Sequence, residues 1–238
     1  RLAIVVKMDV GSCDIFLMNS DGGLLTNLTN SPEWDDKLPR WSPDSSRMVF
    51  QTHREGVEAI YTVRPDGTDL GPLTDYAGEE FFGSLSPDGR ILFTRYVDRD
   101  GDGQKDDPVM WIINVDGSDA IPISKGLHTE GGALASPDGR HIAFLSLRDA
   151  GIEVYVMDSD GGNVTQMTDT PGDGISMPWC WSPDGGLLAF LRIEEDSNGD
   201  GKMDFKDSKE IWVMSADGSG QTNVSNHPAR DDKPRWKP

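Results

Sequence analysis

The chain has 238 residues, room for one all-β domain or two small ones, and carries 22 Lys and Arg against 41 Asp and Glu, a formal net charge of −19. So acidic a chain is a poor match for nucleic-acid phosphates, and the lack of any run of eighteen apolar residues excludes a membrane-spanning helix. With 27 Gly and 15 Pro among interspersed aromatic and β-branched residues, the composition points to turn-rich β structure and not to disorder.

The start at Arg1 reads as a processed or excised segment. The first predicted strands, Leu2 to Lys7, Asp14 to Asn19 and Leu24 to Leu28, fill the second, third and fourth places of a unit whose complete form comes next. That second unit has strands at Leu38 to Ser42, Arg47 to Thr52, Ala59 to Val63 and Asp69 to Thr74, a four-stranded antiparallel blade. Its Ser-Pro-Asp turn at 42–44 recurs at 86–88, 136–138 and 182–184, with spacings of 44, 50 and 46. Its Asp-Gly hairpin at 66–67 recurs at 21–22, 116–117, 160–161 and 217–218, where Gly accepts the positive φ such turns need. At the far end, Pro234-Arg235-Trp236 matches Pro39-Arg40-Trp41, so it is expected to be the innermost strand of the blade that the N-terminus begins, paired with Leu2 to Lys7. A period of this length signals a propeller. The expected fold is all-β: one five-bladed β-propeller domain, closed by the C-terminal strand, with blades at 1–30 plus 233–238, 38–75, 82–125, 132–169 and 177–226. No stretch keeps a 3.6-residue apolar period, so helix content is expected to be close to nil.

The run Ile60-Tyr61-Thr62-Val63 followed by Asp66-Gly67 and Leu73-Thr74, and Trp181-Ser182-Pro183-Asp184-Gly185 followed by Leu188-Ala189-Phe190, resemble TolB-type propeller repeats. The resemblance covers the whole chain and implies the propeller fold. Such blades occur in periplasmic scaffold proteins and in the gating domains of prolyl peptidases, so it implies no single function.

Two units carry longer connectors between their second and third strands. In the earlier one Asp98, Asp100, Asp102, Gln104 and Asp106 alternate around Gly103, with Val109 where a terminal ligand belongs and Asp107 as its substitute. In the later one Asp196, Asn198, Asp200, Lys202, Asp204 and Asp207 take positions 1, 3, 5, 7, 9 and 12 of an EF-hand-like loop, with Gly201 at position 6. Oxygen ligands at alternate positions wrap a Ca²⁺, position 7 through its backbone carbonyl. The later loop resembles the calcium loops of dockerins and other extracellular modules. Two calcium ions are expected, filled only near millimolar calcium and therefore outside the cytoplasm, in a periplasmic, cell-surface or secreted setting.

The connectors into the innermost strands place Asp36, Glu80, Glu130 and Asp231 at equivalent points, with Ser176 in the fifth unit. Around one channel mouth they would form an acidic rim for a protein or basic peptide. Trp41, Trp181 and Trp236 recur with the blade and read as packing residues. His53, His128, His141 and His227 show no metal spacing, and the sequons at Asn27, Asn163 and Asn223 recur with the fourth strand. Cys13 and Cys180 show no CxxC spacing and are expected to be free thiols. No nucleophile elbow, HExxH or phosphate loop is present. The function expected from these residues is a non-enzymatic, calcium-stiffened binding or scaffold module, whether complete or one part of a larger chain or assembly. Its rival is a glycan-binding or glycoside-hydrolysing propeller that uses Asp36, Glu80 and Glu130.

Overall fold

The computed structural model describes residues 1–9, 11–54, 56–74, 78–99, 101–104, 107–149, 151–226 and 234–237. Among them there are nineteen strands and no helix, and no helix is therefore long and apolar enough to cross a membrane. The chain divides into two compact units, residues 1–106 with 111–121, and residues 107–110 with 122–238.

In the first unit, β1 (Leu2–Lys7), β2 (Cys13–Met18) and β3 (Thr26–Asn27) form a three-stranded sheet. The second sheet is β4 (Asp36–Trp41), β5 (Met48–Arg54), β6 (Val57–Val63) and β7 (Gly71–Pro72), in sequence order and antiparallel. The third is β8 (Glu80–Leu85), β9 (Ile91–Val97), β10 (Asp107–Ile113) and β11 (Ile121–Pro122), with β10 contributing to both units. The second unit holds β12 (Glu130–Ala135), β13 (His141–Asp149), β14 (Gly151–Asp158) and β15 (Thr165–Gln166), then β16 (Ile175–Trp181), β17 (Leu187–Ile193), β18 (Glu210–Ser215) and β19 (Thr222–Asn223). These last eight strands are two antiparallel sheets joined by one parallel bridge, Ile152 to Ile175. Five sheets of the expected repeat are thus present.

The second sheet is apolar on both faces because a neighbouring sheet of its own unit covers each of them. Met48 and Phe50 of β5 pack with Ile15, Leu17 and Leu28, whereas Val49, between them, packs with Ile91, Phe93 and Ile113. That is the two-residue alternation of a strand with two buried faces. In the second unit Ala143, Val154 and Val156 meet Trp181, Leu188, Phe190 and Met214 in the same way. Phe50, Phe93, Phe144 and Phe190 hold one place in four successive sheets and are all fully buried.

Local chemistry explains why Ser-Pro-Asp recurs. The Ser42, Ser136 and Ser182 hydroxyls each donate to the Asp two residues on at 2.6 Å and accept the N–H five residues on at 2.9 to 3.0 Å, closing the turn from inside. Gly89, Gly139 and Gly185 follow at φ of 88°, 70° and 72°; Ser45 fills that place at φ 57°. The donated hydroxyl from Ser42, helped by the Ser46 N–H, lowers the Asp44 pKa from 3.8 to about 2. Ser136 and Ser182 lower Asp138 and Asp184 similarly. A carboxylate held low in the folded chain stabilises it above the unfolded pKa and loses that contribution as the pH falls through the folded value. The melting temperature is therefore expected to drop between about pH 4 and pH 2. Ser42→Ala should return Asp44 to the ordinary carboxylate range in a carbon-13 NMR titration.

The closing strand expected at the C-terminus is not shown among the described residues. Residues 234–237 carry no strand, and β1 has β2 as its one sheet neighbour among the described residues. Yet Trp236 Nε1 donates to the Cys180 carbonyl at 3.2 Å, as Trp181 Nε1 donates to the Leu134 carbonyl at 3.2 Å. Leu134 and Cys180 both lie two residues before a Ser-Pro-Asp turn, so Trp236 stands to the fifth sheet as Trp181 stands to the fourth. Cys13 and Cys180 are free thiols, and Cys13 opens β2, where a connector was expected.

Candidate functional site

The inner strands β4, β8 and β12 each begin with one of the carboxylates expected at an exposed rim. The structure buries them. Asp36, Glu80 and Glu130 are 0 %, 2 % and 4 % exposed, and each faces an arginine from the adjacent strand: Arg54 at 3.2 Å, Arg95 at 2.7 Å, and Arg148. Asp36 also accepts the Thr52 hydroxyl at 2.5 Å, and Glu80 the Thr74 hydroxyl at 2.7 Å. The reason is placement. A carboxylate at the start of such a strand, covered by the later part of the adjacent strand, leaves water on folding and needs a countercharge there. Asp231 lies outside the described residues.

The arginines are themselves sandwiched. The Arg54 guanidinium lies 5.0 Å from the Tyr61 ring centre, Arg95 4.7 Å from Trp111, Arg148 4.7 Å from Tyr155, and Arg192 4.4 Å from Trp212. Two spacings serve the same end. In β5 and β13 the arginine follows the buried phenylalanine by four residues and meets Tyr; in β9 and β17 it follows by two and meets Trp. Both spacings are even, so both keep Phe and Arg on one face. In the fifth sheet Ser176 replaces the carboxylate. Arg192 Nε donates to the Ser176 hydroxyl at 3.2 Å and Nη2 to Gln221 Oε1 at 2.8 Å. Burial pulls the Arg192 pKa down, opposed by Glu194 and Glu153. The arginine ladder was readable in the sequence as a recurring Phe-x-Arg or Phe-x-x-x-Arg, and the count of acidic residues obscured it. Asp36, Glu80 and Glu130 are thus arginine-paired and buried, and not the open carboxylate set expected for a glycosidase.

The later connector folds around its own backbone. Asp196 accepts the N–H groups of Gly199 and Gly201, both at 2.7 Å, and that of Asp200 at 3.2 Å. Asp207, fully buried, accepts N–H groups from Ser197 at 3.0 Å, Asn198 at 3.1 Å and Asp204 at 2.9 Å. The Asp204 N–H and these other donors hold the Asp207 carboxyl below its usual range. Asn198 accepts from Asp200, Asp200 from Lys202, and Asp204 from Lys206. In the earlier connector Asp98 accepts from Gly101 and Gly103, and Asp102 from Gln104. Asp100 and Asp106 lie outside the described residues, and Asp107 opens β10. Among the described residues no group of three or more His, Cys, Asp or Glu side chains converges as a metal-ligating set. The loop carboxylates are gathered through backbone donors.

No protein-family model matches the chain. It is 32 % identical over 200 residues to the uncharacterized protein Atu1656 of Agrobacterium fabrum, matching 80 % of this chain and 65 % of that one. It is 32 % identical over 121 residues to the uncharacterized peptidase YuxL of Bacillus subtilis, matching 48 % of this chain and 18 % of that one. With dipeptidyl-peptidase 5 of Porphyromonas endodontalis the identity is 23 % over 229 residues, 76 % of this chain and 33 % of that one. The chain thus spans less than two thirds of each of these relatives.

Among solved structures, TolB from Acinetobacter baumannii aligns with a TM-score of 0.67 at 17 % identity over 93 % of this chain and 52 % of that one. An oligogalacturonate lyase in complex with manganese aligns at 0.67 and 14 %, over 96 % and 62 %. A puromycin-hydrolyzing peptidase of Mycobacterium tuberculosis aligns at 0.64 and 16 %, over 94 % and 36 %. The fold is that of the TolB-type propeller. These likenesses also correct the non-enzymatic expectation: relatives and structural neighbours include peptidases and a lyase, and they point to propellers that belong to enzymes.

Proposed function

We propose that this chain is the substrate-admitting propeller of a peptidase-type enzyme and that it binds peptide or unfolded protein segments, with basic ones favoured. The observation that carries the reading is the 32 % identity with a peptidase over 121 residues, in a sequence without a nucleophile motif of its own. The net charge of −19 draws cationic chains toward it. An extracytoplasmic setting goes with this reading, in keeping with the TolB-type fold. The test is fluorescence polarisation with a set of labelled peptides of graded charge, alongside a trigalacturonate titration. Saturable peptide binding, competed by unlabelled peptide, supports the proposal. Binding of the acidic sugar with no peptide response overturns it in favour of a lyase-like ligand.

Two structural parts of the reading have their own measurements. In the first, Pro234 to Trp236 complete the first sheet beside β1; deleting the last six residues then lowers the melting temperature sharply, and an unchanged melt refutes the closure. In the second, Ca²⁺ is held by the connector at Asp196, Asn198, Asp200, Lys202, Asp204 and Asp207, and by the one at Asp98, Asp100, Asp102, Gln104, Asp106 and Asp107. The alternating oxygen donors suit a hard cation, which would neutralise a crowded acidic loop. A site of about 10⁻⁴ M in millimolar calcium adds about 1 to 2 kcal/mol of stability. EDTA is then expected to lower the melting point by a few degrees, about 3 to 6 °C, and Asp200→Ala to abolish most of that shift. An identical melt with and without chelator removes calcium from the reading.

A further inference from the structure

The second unit contains a cleft of about 240 Å³ between the connector that follows β11 and the face of β13 and β14. Its apolar rim is Leu127 and Val164, above the buried Phe144 and Met157, and its polar side carries Lys125, His128, and the Glu130–Arg148 ion pair. Lys125 and His128 are exposed and make no hydrogen bond or ion pair with any described residue. Arg148 directs Nη2 to Glu130 and Nε to the Ser146 hydroxyl at 3.1 Å, while Nη1 makes no hydrogen bond to a described residue. Glu130 is the one carboxylate in the lining, and Arg148 already balances it. The cleft is therefore a local cationic site in a chain whose net charge is −19. Leu127 and Val164, 60 % and 40 % exposed, leave apolar surface open beside those donors.

We propose that this cleft binds a carboxylate attached to an apolar body the size of one amino-acid side chain. Lys125 supplies the principal countercharge, His128 and Arg148 Nη1 supply further donors, and Leu127 and Val164 cover the body. The volume decides the size: about 240 Å³ holds a leucine-sized group, below the roughly 300 to 1,000 Å³ of drug-sized pockets. Charge-assisted donors beside an apolar wall select an acid over its neutral isostere, because an amide placed there forfeits the charged hydrogen bonds. The carboxylate has two possible sources, a free small acid or the C-terminal residue of a peptide; the second rests on the peptide-binding reading above.

The experiment uses the whole chain and four probes: N-acetyl-leucine, N-acetyl-leucinamide, and a labelled hexapeptide ending in Leu as free acid or amide. The expected result is that an acid binds about tenfold more tightly than its amide, a difference of about 1.4 kcal/mol, and that high salt weakens it. Lys125→Glu should cost the acid at least that factor without changing the melting temperature, and Lys125→Arg should restore it. Binding of N-acetyl-leucine alone supports the cleft and removes the peptide source, whereas binding of the peptide acid alone supports the cleft and assigns the peptide end. Acid and amide peptides that bind equally, with Lys125→Glu without effect, overturn the cleft and leave peptide binding standing. No binding of any probe overturns the cleft, and the graded-charge peptide series decides the peptide-binding reading separately.

Discussion

Asp36→Asn is expected to lower the melting temperature by roughly 6 to 20 °C, the equivalent of about 3 to 5 kcal/mol in a chain of this size. The substitution keeps the shape of the side chain and removes its charge. Asp36 is fully buried and takes both the Thr52 hydroxyl, at 2.5 Å, and the Arg54 guanidinium, at 3.2 Å. Arg54 has a side chain only 15 % exposed, so without its partner it stays in low dielectric as an uncompensated cation. Adding Arg54→Met should recover a large part of the loss, since removing both charges deletes the penalty that removing one creates. Thermal melts of the two single variants and the double variant give the coupling directly. A single variant within about 2 °C of the parent would show that the pair carries no such weight.

Gly161→Ala should destabilise by about 2 to 5 kcal/mol, summed from the cost of a non-glycine residue at positive φ and that of overpacking. Gly161 sits at φ 88° in the Asp-Gly hairpin after β14, and a Cβ there would overlap the Ile123 carbonyl, with that residue's Cα 3.4 Å away. Backbone on the opposing side cannot rotate aside as a side-chain tip would. Gly22 holds the same hairpin place at φ 84°, with its nearest neighbour a methionine methyl at 3.9 Å. Gly22→Ala should therefore show the backbone penalty alone, about 1 to 2 kcal/mol. The difference between the two variants, read from denaturant melts, isolates the contact with Ile123. Equal losses would mean that hairpin tips do not seat on the preceding repeat.

What could be read from the chain follows from how far apart the interacting atoms lie in sequence. Ser42, Asp44 and Arg47 close a turn within six residues, so the recurring Ser-Pro-Asp marked four of the five sheets. Asp36 and Arg54 are eighteen residues apart, and charge spacing along the chain says nothing about which strand lies opposite. The carboxylate therefore looked free when it is bound. The Arg-aromatic contacts were encoded at short range by Phe50 and Arg54, or Phe93 and Arg95, but two spacings for one contact hide a repeat from simple alignment. For Asp196 to Asp207 the limit is chemical. An oxygen at every second residue suits a cation and equally suits the loop's own N–H groups, and both uses leave the same pattern. The absence of a nucleophile motif spoke only for these residues, whereas the relatives that share the repeats include longer proteins that are peptidases.

The two Phe-to-Arg spacings alternate along the chain: four residues in the second sheet, two in the third, four in the fourth and two in the fifth. The aromatic partner alternates with them, Tyr, Trp, Tyr, Trp, and so does the connector, since both acidic loops belong to the Trp sheets. Phe50 to Phe144 is 94 residues and Phe93 to Phe190 is 97, so the faithful period of this chain is a pair of sheets. A duplication that copied two sheets together leaves this record, and it sets the rule for recombining the protein. Each arginine and its ring belong to one sheet, so a single sheet moved by one place keeps its own contact but puts two sheets of the same kind side by side and breaks the alternation. A transplanted pair keeps the Tyr sheet, the Trp sheet and the acidic connector in order, which makes the pair the natural cassette for building longer or shorter versions of this ladder.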